Sequence, residues 1–253
     1  MSHDIGFWYF IYYKEMIRLQ TRNRNCNGFI FVALILFVAM PLAAQDTIIQ
    51  AWYPGSEGGH ALADIISGDV NPWGKLPFTF LVKLEDNGAL FFDELSYPGV
   101  NDKQVYKEDI LVGYRWHDTK NIEPLFEFGF GLSYTSFSIN SANTDKDSYS
   151  EYDNIVVSVE IENTGGLNGA EVIQVYASDV KSSVMRPLKE LKAFRKVKLK
   201  PGEKRLVELT IPVRDLAFYD EELNDWNIET GDFKLMIGVS SRDIKEVLEI
   251  TVE

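Results

Sequence analysis

Apolar and polar residues alternate with a period of two over the last hundred residues of the chain. Ile155, Val157, Val159 and Ile161 are separated by polar neighbours, and Asn163, Thr164, Gly165 and Gly166 then turn the chain. Residues 172–176, VIQVY, read as a second strand. After the turn at Pro201 and Gly202, residues 205–211 alternate again through Val207, Leu209 and Ile211. Residues 233–239 follow Gly231 as a further strand, and 247–252 closes the chain. Alternation places every second side chain on one face of a sheet, so each segment has one face to bury. About seven short strands separated by turn residues predict an immunoglobulin or fibronectin type III-like β-sandwich.

The pattern upstream differs. Residues 47–55, TIIQAWYPG, read as a buried strand that Pro54 and Gly55 break. Ser56 is expected to cap a helix carrying Glu57 in its first turn, with His60, Leu62, Ala63, Ile65 and Ile66 following and Gly68 ending it. Residues 75–80 then read as a strand. Strand, helix and strand make an α/β unit too small to cover both faces of its own sheet, which implies missing neighbours. Residues 81–135 are loop-rich and dense in aromatics, as in segments that wrap a larger body. The polar stretch 141–151, SANTDKDSYSE, reads as a domain boundary.

The first fifty residues carry Lys14, Arg18, Arg22 and Arg24, then the uncharged run GFIFVALILFVAM at 28–40, then Pro41-Leu42-Ala43-Ala44-Gln45. A basic stretch, a short apolar run and small residues describe a cleavable secretory leader. Met16 would start a leader of ordinary length. The run is shorter than the roughly 20 residues a spanning helix needs. An uncleaved anchor and a buried helix remain the other readings, and FWYFIYY before Met16 matches none of the three. The resulting plan is a leader over 1–45, a partial α/β segment over 46–135 and a sandwich over 136–253.

Charge narrows the function. The net charge is −13; removing four basic and three acidic residues of the first fifty leaves 21 basic against 35 acidic, or −14. Such a surface repels phosphate backbones and anionic lipid, so no nucleic-acid partner is expected, while neutral sugars stay open. The single cysteine, Cys26, lies in the leader-like segment, so the rest has no disulfide. His3, His60 and His117 have no metal-ligand spacing, and neither a Gly-rich phosphate loop nor a Gly-x-Ser-x-Gly elbow occurs; no metal or cofactor is expected.

Each candidate for chemistry has a plainer alternative. Asp225-Trp226 sits in a sandwich strand context, with Trp226 expected to pack. Glu57 reads as a carboxylate favoured by a helix N-terminus, or as a residue facing a domain interface. Trp52 and Trp73 read as packing residues, with stacking on a sugar as the other use. Arg115, in VGYRW, reads as half of an ion pair, within the chain or across domains. FEFGFGLSYTSF, 126–137, reads as turns at Gly129 and Gly131 that seat aromatics, or as the rim of an active site.

Three blocks in order carry a resemblance: AWYPGSEGGHALADIISGDVNPWGKLPFTF at 51–80, YKEDILVGYRWHDTKNIEPLFEFGFGLSYTSF at 106–137, and the sandwich segments at 159–179, 186–211 and 231–244. Together they resemble the C-terminal half of family 3 glycoside hydrolases of the β-glucosidase type. The resemblance implies an N-terminal barrel with an aspartate nucleophile, an α/β sandwich with a glutamate acid/base, and a fibronectin-like end, acting on β-linked glycosides with retention. It begins at about Thr47, at what looks like the last strand and helix of the α/β sandwich. By that reading the chain holds no catalytic residue and is inactive alone, with the missing catalytic domain as its partner and Trp52, Glu57 and Arg115 as interface candidates. A stand-alone secreted module for carbohydrate or protein contact is the alternative, and a structural or adhesive domain a weaker one. The leader implies a secreted or periplasmic protein. The sandwich is expected to resist proteolysis from about residue 149, with 47–135 loose and rich in exposed apolar surface.

Overall fold

The computed structural model describes residues 11–13 and 47–253; the leader-like stretch with Met16, Cys26 and the run 28–40 lies outside them. The short strands β1 (Ile11–Tyr13) and β2 (Thr47–Ile49) pair antiparallel. Three helices follow: α1 (Gly58–Ser67), α2 (Gly88–Phe91) and α3 (Tyr114–Thr119). Then come β3 (Phe137–Thr144), β4 (Ser148–Tyr149), β5 (Asn154–Asn163), β6 (Gly169–Asp179), β7 (Glu190–Leu199) and β8 (Lys204–Pro212). The hairpin of β9 (Phe218–Asp220) and β10 (Asp225–Asn227) precedes β11 (Gly231–Gly238) and β12 (Ile244–Val252). The chain is thus mainly β. One sheet runs β4-β12-β11-β6-β7 and the facing one β3-β5-β8, the two layers of a fibronectin-like sandwich.

The core follows from the alternation. On β5, Ile155, Val157, Val159 and Ile161 are fully enclosed while their neighbours are not. Val207, Leu209 and Ile211 of β8 meet Ile173 and Val175 of β6 and Phe233, Leu235 and Ile237 of β11. Full burial of each such side chain stabilises by about 1.5–3 kcal/mol relative to exposure. Asn163 ends β5 with all its amide capacity used. Its Oδ1 accepts from Thr135 Oγ1 (2.8 Å) and Gly165 N (3.1 Å), and its Nδ2 donates to Leu167 O (2.8 Å) and Leu199 O (3.1 Å).

β6 departs from alternation, being buried on both faces for nine residues. One face is the core. On the other, Gln174 and Tyr176 are covered by the segment that precedes the sandwich. Tyr114 packs edge-on against Tyr176 with centroids 5.7 Å apart, and Gly129 approaches Gln174 so closely that a Cβ there would collide with its amide. Residues 71–135 are therefore docked, not loose. Lys75 meets Glu171 at 2.7 Å, Asp118 meets Lys189 (3.1 Å) and Arg242 (2.9 Å), and Leu191 N donates to the Tyr114 hydroxyl (2.8 Å).

Four local expectations change. Ile48 is exposed, so 47–49 is not a buried strand. The first helical residue is Gly58, and Glu57 rather than Ser56 holds the cap position without a side-chain bond, while Gly68 ends α1 in the left-handed region (φ 85°) as expected. Residues 75–80 form no strand of a sheet: Leu76 N donates to Phe130 O and Phe80 bridges Phe126, because the partner is a loop. The polar stretch from 141 is no linker. Its first half belongs to β3, which pairs only with β5 and so presents polar side chains outward.

Candidate functional site

Between Ile48 and Leu132 the chain displays eighteen exposed large apolar side chains, among them Trp52, Tyr53, Phe78, Val82, Leu84, Phe91, Phe92 and Tyr106. They are organised by ring contacts. Trp52, held at φ 50°, meets Phe78 edge-on at 5.3 Å; Phe78 lies 4.8 Å from Phe80, Phe80 meets Phe126 at 6.1 Å, and Phe126 stacks on Phe130 at 5.4 Å. One end of this arc is buried through Leu76 and Phe126, and the other opens to solvent. Glu57 stands beyond it, exposed, its carboxylate accepting a hydrogen bond from His60 Nδ1 at 2.9 Å. Trp73 is spoken for: the ammonium groups of Lys196 and Lys198 lie 5.6 and 5.4 Å from its ring, so β7 covers it.

Arg115 points elsewhere. From α3 it reaches Glu190 of β7 at 3.6 Å, joining Arg186 (2.8 Å) and Lys192 (3.3 Å) around the same carboxylate. Burial alone would raise the Glu190 carboxyl; Lys192, Arg186 and Arg115 overcome this and hold it below the ordinary glutamate range. These residues wall a groove of about 1160 Å³ that continues along Asp215, Tyr219, Glu222 and Trp226. Trp226 is 68% exposed and touches Tyr219 edge-on, so it is not a packing residue; the β9–β10 hairpin stands off the sheet and leaves its ring uncovered. Asp225 is exposed beside it. Among the described residues no contact joins Trp52, Glu57 and Arg115 into one site.

The acids tell a consistent story. Among the described residues the displaced carboxyls all lie below their ordinary range: Asp93, Asp145, Asp153, Glu162, Glu190, Glu203, Asp220 and Glu229. In the groove, Asp220 is lowered chiefly by the Leu223 amide and further by Asn227 and the Glu222 amide. A general acid needs the opposite environment. Among the described residues no cluster of three His, Cys, Asp or Glu side chains is arranged for a metal.

Reading the sequence missed the strongest polar joints. Arg242 donates from Nε to Asp118 (2.9 Å), from Nη1 to Glu123 (2.6 Å) and from Nη2 to Ile122 O (2.7 Å). Its partners lie about 120 positions upstream, so no local spacing announces them.

Residues 23–134 match the glycosyl hydrolase family 3 C-terminal domain and residues 171–241 the fibronectin type III-like domain. The first match starts upstream of Thr47 and takes in the apolar run 28–40. The chain is similar to a β-glucosidase of Bacteroides ovatus, with 51% identity over 82% of this chain and 28% of that protein. It is also similar to the thermostable β-glucosidase B of Acetivibrio thermocellus, with 48% identity over 82% and 27%. Among solved structures it resembles the family 3 β-glucosidase of Bifidobacterium adolescentis, with TM-score 0.76 and 37% identity over 81% of this chain and 30% of that one. It likewise resembles β-glucosidase 3B of Thermotoga neapolitana, solved with α-D-glucose, with TM-score 0.74 and 42% identity over 81% and 28%. The chain thus spans less than a third of the length of these relatives. Domain matches, their order and the shared fold agree: the chain belongs to glycoside hydrolase family 3 and carries its C-terminal part, ending in the fibronectin type III-like domain.

Proposed function

We propose that these residues form the non-catalytic wall of a β-glucosidase that hydrolyses terminal β-linked glucosyl residues with retention, and that they have no turnover alone. The observation that carries this reading is the set of eighteen exposed large apolar side chains between Ile48 and Leu132, a density that marks a surface for burial against another body. Its occupant in this reading is the catalytic part of the enzyme. Retention needs two carboxyls about 5–5.5 Å apart, one of them raised in pKa.

Complementation tests it. The purified chain is mixed with the upstream portion of the Bacteroides ovatus β-glucosidase, shortened by the region the chain matches, and assayed on an aryl β-glucoside. Activity from the mixture and none from either piece is expected. Turnover by the chain alone, insensitive to repeated purification, would overturn the proposal.

The exposed Trp226 ring over a polar groove favours a second reading, a module that holds β-glucan by stacking. Calorimetry with a β-glucan oligosaccharide separates the two: millimolar or tighter binding, lost in Trp226→Ala, assigns the groove to sugar. Export rests on the order of basic, apolar and small residues at 14–45 alone. No helix of the described residues is long and apolar enough to cross a membrane. Pairing of β1 with β2 joins residues 11–13 to 47–49 across Ala44, so that pairing and cleavage near Ala44 exclude one another. The intact mass of the mature chain decides between them.

A further inference from the structure

A cleft of about 530 Å³ opens between residues 78–81, the start of α2 and residues 108–117. Three of its lining residues hold buried polar atoms with no hydrogen-bond partner: Thr79 Oγ1, Glu108 Oε2 and His117 Nε2. The residues are 8%, 8% and 2% exposed. The imidazole's role is fixed by its other nitrogen. Nδ1 lies 2.9 Å from Gly113 O, and a carbonyl only accepts, so Nδ1 carries the proton. In the neutral ring Nε2 is then a bare acceptor. The cleft wall therefore includes a carboxylate, an imidazole nitrogen and a hydroxyl, none with a hydrogen-bond partner and with no cation beside them. Nearby cations are committed elsewhere: Lys107 to Asp93, Arg115 to Glu190, and Lys120 over the Trp116 ring. Phe78, Phe80, Leu111 and Trp116 make the rest of the wall apolar.

An unpaired carboxylate enclosed this way is costly, and a water or a sugar hydroxyl would supply donors without cancelling its charge. A guanidinium supplies both, with several donors in a fixed plane. We propose that this cleft is a socket for an arginine side chain of the polypeptide that covers the apolar face. The proposal rests on the covering of that face put forward above and names the chemistry of the contact. The scaffold is built to hold it: α3 is braced from behind by Asp118 against Arg242 and Lys189, and Gly88 lets α2 approach both Glu108 and Trp116.

The test uses the full chain and the probe N-acetyl-arginine amide, with N-acetyl-citrulline amide as the uncharged isostere and glucose as the neutral sugar. The arginine probe is expected to shift the His117 imidazole resonances, distinguishable among three histidines, and to bind at least tenfold tighter than citrulline. Glu108→Gln should weaken that binding about tenfold while melting no lower than the parent, since it removes a buried lone charge. Equal binding of citrulline, movement of His117 by glucose instead, no response to any probe, or a lower melting point of Glu108→Gln would each overturn the socket. Complementation that succeeds while the probe fails removes the socket and spares the proposed function; probe binding without complementation does the reverse.

Discussion

Glu171 and Lys75 meet at 2.7 Å with only about a tenth of either side chain in contact with solvent. Such a pair is worth little against a well-packed apolar replacement, but half of it is worse than none. Glu171→Ala is expected to cost about 3–5 kcal/mol, read as a fall in urea midpoint at constant slope, and Glu171→Leu combined with Lys75→Met to recover most of that. Buried phenols give a second signature. Burial, with Asp145 as hydrogen-bond partner, pushes the Tyr149 hydroxyl up to about 12, and burial raises Tyr176 as well. The unfolded chain releases these protons near pH 10, the fold only above it. Their contribution is intact below pH 10 and falls by about 1.4 kcal/mol per pH unit per phenol above it, until the folded pKa is passed. Tyr149→Phe should flatten the decline of stability between pH 10 and 12. Neither effect was legible in the sequence. Lys75 and Glu171 are ordinary surface residue types, and only the closeness of chain segments remote in sequence makes them interior.

Strands with one wet face were legible, because burial writes period two into β5, β8, β11 and β12. β7 was not, since only Val197 and Leu199 of it are enclosed and five of its other eight residues carry charge. β3 was hidden because, at a sheet edge, it encloses only Ala142 and is otherwise mostly polar. In the docked segment only the strand expected over 75–80 is missing, because that apolar run packs loop to loop, while the match of 23–134 to the family 3 C-terminal domain bears out the reading as part of that domain. Two glycines in it separate backbone conformation from close approach. Gly68 has a left-handed φ of 85° and open space around it, so Gly68→Ala should cost about 1 kcal/mol. A Cβ on Gly131 would strike the Gly74 carbonyl, so Gly131→Ala should cost more, about 3 kcal/mol, and loosen the bond from Leu76 N to Phe130 O. Chemical denaturation of both variants checks the order.

At the scale of the molecule, ion pairs, the Tyr114 contacts and shared burial of β6 fasten residues 71–135 to the sandwich. One calorimetric transition is expected, with enthalpy matching its van't Hoff value, and two transitions would mean the segments melt apart. Limited proteolysis should leave a core that begins before Phe137, because cutting at residue 149 strips β3 from β5. The exposed apolar face, by contrast, was foreseeable: aromatics so dense in loop sequence need a surface to meet.

Arg242 sits in the turn between the last two strands, and β12 lies inside its sheet, between β4 and β11. A ribosome delivers these parts about a hundred residues after α3. Until they emerge, the brace behind α3 is missing and the sheet is split. A premature stop near position 240 should therefore unsettle α3 and its surroundings some hundred residues upstream, well beyond the single strand it deletes.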